Sequence, residues 1–184
     1  MDIVAKNDGK AVAELVENLS NKDRNIASDC IKVLYEIGER NPKLIMKYAG
    51  EFGALLDSKN NRMVWGGMTA LDAIAQESPR SVHDLLQKIV AAAEKGSVIT
   101  RDHTVGVLVK LASFNEYKSE ALRLLLGQLE KCPDNQFPMY LEMSEPVFQD
   151  PAREDLSRVL RARLKGLQKE SQRKRVEKIA KRLT

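Results

Sequence analysis

The feature that most constrains the fold of this chain is a repeat of 37 residues. Residues 25–42 (NIASDCIKVLYEIGERNP) align without gaps on residues 62–79 (RMVWGGMTALDAIAQESP), and a second shift of 37 reaches residues 99–116 (ITRDHTVGVLVKLASFNE). Apolar residues coincide between the segments, as Leu34 and Leu71 do. A fixed period between roughly 20 and 50 residues indicates stacked units, each of which buries its apolar side against its neighbours.

Each unit reads as two helices. Apolar residues in the first segment recur at steps of three and four, which is one face of a helix; they are Ile26, Cys30, Val33, Leu34 and Ile37. A second helical pattern follows in NPKLIMKYAGEFGALL, SPRSVHDLLQKIVAAA and NEYKSEALRLLLGQL. Asn41 and Ser78 precede prolines and are predicted helix caps. The pattern predicts about four to five antiparallel helix pairs and requires no strand.

These residues resemble a known family. KDRNIASDCIKVLYEIGE (22–39) resembles the second helix of a HEAT repeat, and the chain looks like a HEAT/armadillo-type α-solenoid. The resemblance implies an all-α, right-handed α–α superhelix in which the second helix of each pair lines the concave inner wall. One departure is that the arginine usual in this helix occurs only as Arg101, where the other units have Ala27 and Val64. The fold hosts many unrelated functions and names none.

The repeat predicts a single domain over 1–184. A capping helix would occupy 1–21, followed by repeats at 22–58, 59–95 and 96–132 and a degenerate basic capping repeat at 133–184. From Arg153 to Thr184 the chain carries 12 Lys or Arg against 4 Asp or Glu. An array needs a polar outer face at its ends, so solubility alone explains a charged cap.

The basic capping repeat also permits a second interpretation, in which it contacts nucleic acid. The candidate residues for that contact are Arg158, Arg161, Arg163, Lys165, Lys169, Arg173, Lys174 and Arg175.

The predicted inner helices place an unusual tryptophan on the concave wall. When the repeats are aligned, Trp65, the only Trp of the chain, falls in the same column as the polar residues Ser28 and Asp102. We therefore predict that it reaches solvent at least in part, although packing against the neighbouring inner helix is the alternative. The predicted partner-binding surface consists of Lys32, Tyr35, Arg62, Trp65, Gly66, Thr69, Asp72, Arg101 and Asp102. Aromatic and arginine residues dominate protein-binding surfaces, so the prediction is a scaffold or adaptor for a partner peptide or helix.

Two adjacent glycines follow the tryptophan inside the predicted helix. Gly67 shares a column with Cys30 and Thr104, all small, which predicts close packing there. Gly66 aligns with Asp29 and His103, so we expect it to be exposed and to leave space for a ligand beside the tryptophan.

Catalytic and cofactor motifs are not found in the sequence. The two histidines, His83 and His103, read as surface residues and form no metal motif, and the Gly66–Gly67 pair lies within a helix rather than a phosphate loop. We therefore predict a protein that is not an enzyme and binds no metal or cofactor. An alternative is a groove like that of HEAT-like DNA alkylation-repair glycosylases, weakly suggested by Trp65, Asp72, Arg62 and Arg101 but unsupported by a basic stripe.

The remaining expectations concern location. No apolar run approaches the roughly 18 residues of a membrane span, and the first ten residues do not read as a signal peptide. Cys30 and Cys132 read as free thiols. Together these features predict a cytoplasmic protein, and we expect it to be a monomer.

Overall fold

The computed structural model describes residues 3–183. Within that range the chain forms eleven α-helices, joined by turns and short 3₁₀ segments, and no β-strand. The helices are α1 (Gly9–Glu17), α2 (Arg24–Arg40), α3 (Ala49–Ala54), α4 (Asn61–Ile74), α5 (Pro79–His83), α6 (Leu86–Lys95), α7 (Val98–Leu111), α8 (Asn115–Lys131), α9 (Phe137–Ser144), α10 (Ala152–Leu164) and α11 (Glu170–Leu183).

The 37-residue repeat appears directly in the helix starts. Helices α2, α4 and α7 begin at Arg24, Asn61 and Val98, which are 37 residues apart. The caps repeat as well, since the side chains of Asp23 and Asn60 each accept a hydrogen bond from the amide two residues later. An N-cap that satisfies a free amide favours a helix start at that position, and the predicted repeat of helices is confirmed.

The second helix of each unit differs from the prediction in two of three cases. The segment after Asn41 is divided into 3₁₀ turns at Pro42–Leu44 and Met46–Tyr48 followed by α3, and the segment after Ser78 is divided into α5 and α6. Neither Asn41 nor Ser78 makes the predicted side-chain cap. Only α8, which has no leading proline, is continuous over 17 residues. Repeats of the HEAT/armadillo type contain two or three helices, and the proline-led units have the three-part form.

The prediction of which face of α2 is buried is also partly wrong. Ile26 and Val33 are 44 % and 36 % exposed, whereas Ala27, Ile31 and Leu34 are buried. α2 makes its most extensive contact with α4, and this contact selects the buried face. On its other side α2 packs against α1, which has only nine residues and covers less of it than a longer helix would.

The chain divides into two compact units between Val107 and Leu108, a point within α7. We call them unit 1 and unit 2. The core of unit 1 includes Leu34 and Leu71, and that of unit 2 includes Leu125 and Tyr140, all fully buried. The predicted single domain and its repeat boundaries stay predictions. None of the helices in residues 3–183 combines the length and apolar character that crossing a bilayer requires.

Candidate functional site

A groove of about 590 Å³ lies in unit 1 across the three helices that start one repeat apart, α2, α4 and α7. Because these helices start one period apart, equivalent positions lie side by side and build its wall. The lining residues are Ser28, Asp29, Ile31, Lys32, Tyr35 and Glu39 from α2, Arg62, Trp65, Gly66 and Thr69 from α4, and Ile99 and His103 from α7.

Trp65 is half-buried and lines this groove. Its two predicted placements therefore both apply in part, since some of the side chain is covered and some faces the groove. The Thr69 hydroxyl donates a hydrogen bond of 2.9 Å to the Trp65 carbonyl oxygen, one turn earlier in α4. Tyr35 is half-buried nearby, and Ile99 is 41 % exposed although it is a large apolar residue. The groove thus offers two half-buried aromatic rings and one exposed aliphatic side chain.

Gly66 lines the groove, but the prediction that it is exposed and clears space for a ligand is wrong. The residue is buried. A Cβ at this position would lie 2.4 Å from Cγ1 of Ile31, so the missing side chain is what allows α2 and α4 to approach. The repeat alignment did not predict this burial. The residues equivalent to Gly66 are the polar Asp29 and His103, but they lie on helices with different neighbours.

Gly67 fulfils the packing role predicted for its column. A Cβ there would lie 2.8 Å from the Phe52 carbonyl oxygen and 3.0 Å from Cβ of Leu55. The equivalent Thr104 is fully buried, whereas Cys30 is half-buried. The glycine therefore accommodates the backbone of the α3 end rather than a partner molecule.

Asp72, predicted to belong to the binding surface, lies in the contact between α4 and α7 and does not line this groove. One carboxylate oxygen lies 2.8 Å from Nδ1 of His103, and both oxygens lie 2.6 Å from where a Cβ of Gly106 would be. Sequence reasoning missed this pair because it considered only Asp102, the neighbour of His103 in the chain. His103 thus brings an imidazole, oriented by a carboxylate, to the edge of the groove.

Arg101 and Asp102, predicted to belong to the binding surface, are not among the residues that line this groove. The Arg101 Nε donates a hydrogen bond of 3.2 Å to the Ala93 carbonyl oxygen near the end of α6, and Asp102 is half-buried elsewhere on α7. The reason is helical geometry: Ile99 and His103 are four residues apart and share a face, while Arg101 lies roughly 200° around the helix from Ile99.

The charges of the groove lining are balanced. Two acidic residues, Asp29 and Glu39, accompany two basic ones, Lys32 and Arg62. Lys32 also lies 3.9 Å from Glu36 in an exposed pair one turn along α2. This lining lacks the excess of basic residues that a DNA-repair groove requires.

The surroundings of both cysteine thiols disfavour the thiolate form. Both cysteines are free. Burial, followed by the charges of Asp29 and Glu14, raises the pKa of Cys30. Burial also raises the pKa of Cys132, in spite of the opposing effect of Arg163. A raised pKa leaves less thiolate at neutral pH. Across residues 3–183, no group of three or more His, Cys, Asp or Glu side chains is arranged to hold a metal ion.

Arg163, predicted to contact nucleic acid, is a structural residue of unit 2. Its guanidinium donates hydrogen bonds of 2.7 Å to the carbonyl oxygens of Leu129 and Cys132 and one of 2.9 Å to Asp134. It also lies 4.6 Å from the centre of the Phe137 ring. The last carbonyls of a helix lack partners within the helix, so Arg163 caps α8 from α10.

Three further residues of the predicted nucleic-acid surface form ion pairs within unit 2. Arg158 pairs with Asp155, Lys174 with Glu170 and Arg175 with Glu142. The Arg175 hydrogen bonds to both carboxylate oxygens, at 2.8 and 2.6 Å, lower the pKa of Glu142 and raise that of Arg175. The other four predicted residues, Arg161, Lys165, Lys169 and Arg173, are exposed.

The fold and groove define an all-α repeat protein with a groove across equivalent helices of successive repeats. Comparison with known proteins identifies the fold as the armadillo/HEAT-like superhelical repeat. A computationally designed armadillo repeat protein for modular peptide recognition superposes with a TM-score of 0.74 at 15 % identity, covering 98 % of this chain and 85 % of that one. A designed armadillo repeat protein in complex with the peptide (KR)4 gives a TM-score of 0.75 at 16 % identity, with the same coverages.

An engineered protein also matches, with a TM-score of 0.73, 16 % identity, and coverages of 98 % and 82 %. No description of a protein family matches the sequence, and no curated protein does. At these identities the likeness establishes the fold and leaves the subfamily open.

Proposed function

We propose that this protein is a non-enzymatic interaction scaffold that binds a peptide or helix of a partner protein in the groove of unit 1. The observation that carries the proposal is the half-buried Trp65, which lines a groove of about 590 Å³ together with Tyr35 and the exposed Ile99. Large side chains that are partly covered and partly accessible are typical anchors for a partner, because little side-chain entropy is lost when they bind.

The surroundings of these three residues favour a peptide over a small metabolite. The rim carries charges of both signs, at Asp29 and Glu39 and at Lys32 and Arg62. Such a mixed rim suits a segment that presents an apolar side chain flanked by polar ones. The designed armadillo relatives that share the fold are described as peptide binders, which supports the same class of ligand.

Selection from a random peptide library displayed on phage tests the proposal without knowledge of the natural partner. We expect the protein to select peptides whose binding falls by roughly 30-fold in the Trp65→Ala/Tyr35→Ala variant. This corresponds to the loss of about 2 kcal/mol that defines a binding hot spot.

A matched control removes apolar surface from α2 outside the groove. Ile26→Ala/Val33→Ala deletes two exposed apolar side chains that do not line the groove. This control should leave peptide binding within about twofold. Failure to select any peptide, or equal binding by the Trp65→Ala/Tyr35→Ala variant with its helix content retained, would contradict the proposal.

A further inference from the structure

The basic side chains on α10, on α11 and in the connection between them include some that face an acidic residue and some that do not. Among those that do, Arg158, Lys174, Arg175 and Arg182 form ion pairs at 2.7, 2.6, 2.6 and 2.9 Å. Arg163 belongs with them because it pairs with Asp134 at 2.9 Å. These charges are satisfied within unit 2.

Four of the basic residues without an acidic partner, Arg161, Lys165, Lys169 and Arg173, lie around the connection between α10 and α11, and we call them the turn cluster. All four are exposed, and none has a side-chain ion pair or hydrogen bond to any of residues 3–183. Because α10 ends at Leu164 and α11 begins at Glu170, the four lie within about one helical turn of the connection between these helices. The one acidic residue between positions 161 and 173 is Glu170, and it pairs with Lys174.

The helix dipoles favour only two of the four positive charges of the turn cluster. Arg161 and Lys165 lie at the C-terminal end of α10, where the helix dipole favours positive charge. Lys169 and Arg173 lie at the N-terminal end of α11, where the same dipole disfavours it. Each pair is also spaced four residues apart, so on a helix its like charges repel. An anion bound at this turn would relieve both repulsions.

The surface of unit 2 indicates which anion fits. Among residues 3–183, the large hydrophobic residues that are exposed all belong to unit 1; they are Ile26, Val33, Val98 and Ile99. The last aromatic residue of the chain is Phe148, which is buried. The turn cluster therefore has no exposed large apolar residue to anchor a protein, since Leu164 beside it is half-buried, and no aromatic platform for unstacked bases. Regularly spaced phosphates bind by charge alone and need neither.

We propose that the turn cluster binds the phosphate backbone of duplex nucleic acid without reading its sequence. Such a contact is independent of peptide binding in the groove of unit 1.

Fluorescence anisotropy with a labelled DNA duplex of random sequence, measured from about 50 to 200 mM salt, tests the proposal. Four phosphate contacts predict a slope of log K against log salt of about −3.6, or a loss of affinity of about 10² over this range. The variant in which all four residues of the turn cluster are alanine should have a slope near zero and at least tenfold weaker binding at low salt.

A charge-matched control separates a site from overall charge. In this control four other exposed basic residues of unit 2 are changed to alanine, namely Arg123, Lys131, Arg158 and Lys178. It should keep the wild-type slope within about one, since each lost phosphate contact changes the slope by about one. Absence of binding at 50 mM salt, or equal losses in the two variants, would overturn the proposal. So would tighter binding of polyglutamate or of anionic lipid vesicles than of the duplex, which would assign the turn cluster to another anion.

Discussion

The two units of this protein bring their helices together by opposite means. In unit 1 several glycines mark points where an added Cβ would lie under 3.0 Å from a neighbour, as at Gly38, Gly66 and Gly67. In unit 2, Gly127 and Gly166 have no such contact, and arginines span the distance between helices instead. Close contact at glycine requires a fixed distance between helices, which the repeat provides in unit 1. Long polar side chains can join helices at other distances, which suits unit 2, where the repeat is lost.

The largest effect is expected where a single arginine joins elements of unit 2. Arg163→Ala should lower the free energy of unfolding by about 2–3 kcal/mol, because hydrogen bonds from a charged group to the C-terminal carbonyls of α8 are lost. Urea denaturation measures the change. Arg161→Ala, an exposed residue two positions earlier in α10, should change stability by less than about 0.5 kcal/mol. Equal effects would show that Arg163 does not act as a cap.

The corresponding test in unit 1 adds one methyl group. Gly66→Ala places a Cβ 2.4 Å from Cγ1 of the buried Ile31, and overpacking of this kind costs about 1–3 kcal/mol. The better helix propensity of alanine returns up to about 1 kcal/mol, so we expect a net loss of about 1–2 kcal/mol by thermal denaturation. Gly127→Ala, in the middle of α8 with no atom within 4 Å of the new Cβ, should instead stabilise the protein. A stabilising Gly66→Ala would refute the role of glycine in unit 1.

Unit 1 also contains a polar contact between two helices, Asp72–His103. Its strength can be compared with that of an exposed ion pair on one helix. A double-mutant cycle with Asp72→Ala and His103→Ala should give a coupling of about 0.5–1 kcal/mol, since the pair is partly buried and hydrogen-bonded at 2.8 Å. The exposed pair Lys32–Glu36, at 3.9 Å on one helix, should give about 0.3 kcal/mol or less. If the two couplings are equal, the Asp72–His103 contact contributes no more than a surface pair.

The smallest effect concerns acid stability in unit 2. The hydrogen bonds from Arg175 lower the pKa of Glu142, so its contribution is present above the ordinary glutamate pKa of about 4.3 and is lost as pH falls through the lower folded value. Glu142→Gln should be less stable than wild type near pH 7 by under about 1 kcal/mol, given its exposure. The difference should narrow below pH ~4. Glu154→Gln, an exposed acid outside the ion pairs described above, serves as the control and should show no such narrowing in urea titrations at the two pH values.

Much of unit 1 could be predicted from the sequence because its repeat puts equivalent residues at equivalent places. The 37-residue period located the starts of α2, α4 and α7, and it placed Trp65 on a wall shared with Tyr35. It did not predict that Gly66 is buried, because that depends on where Ile31 of the neighbouring helix extends. An aligned position in the repeat tells where a residue lies on its own helix but not which residues of the neighbouring helix face it.

The site residues on α7 and in unit 2 were harder to predict for a related reason. Arg101 and Asp102 were assigned to the groove from their columns, but the face of α7 that lines it carries Ile99 and His103. Arg163 was grouped with other basic residues because its partners, such as Leu129, lie 34 positions earlier in the chain. Charge content is visible in a sequence, whereas the pairing of those charges requires the fold.

The position of the single tryptophan has a spectroscopic consequence. Trp65 lies in unit 1, and unit 2 contains none. Intrinsic tryptophan emission therefore reports the loss of structure in unit 1 alone, while far-ultraviolet circular dichroism reports the helices of both units. Coincident transitions by the two signals would mean that the units unfold as one cooperative body, and separated transitions would give the stability of each half from an unlabelled, unmodified protein.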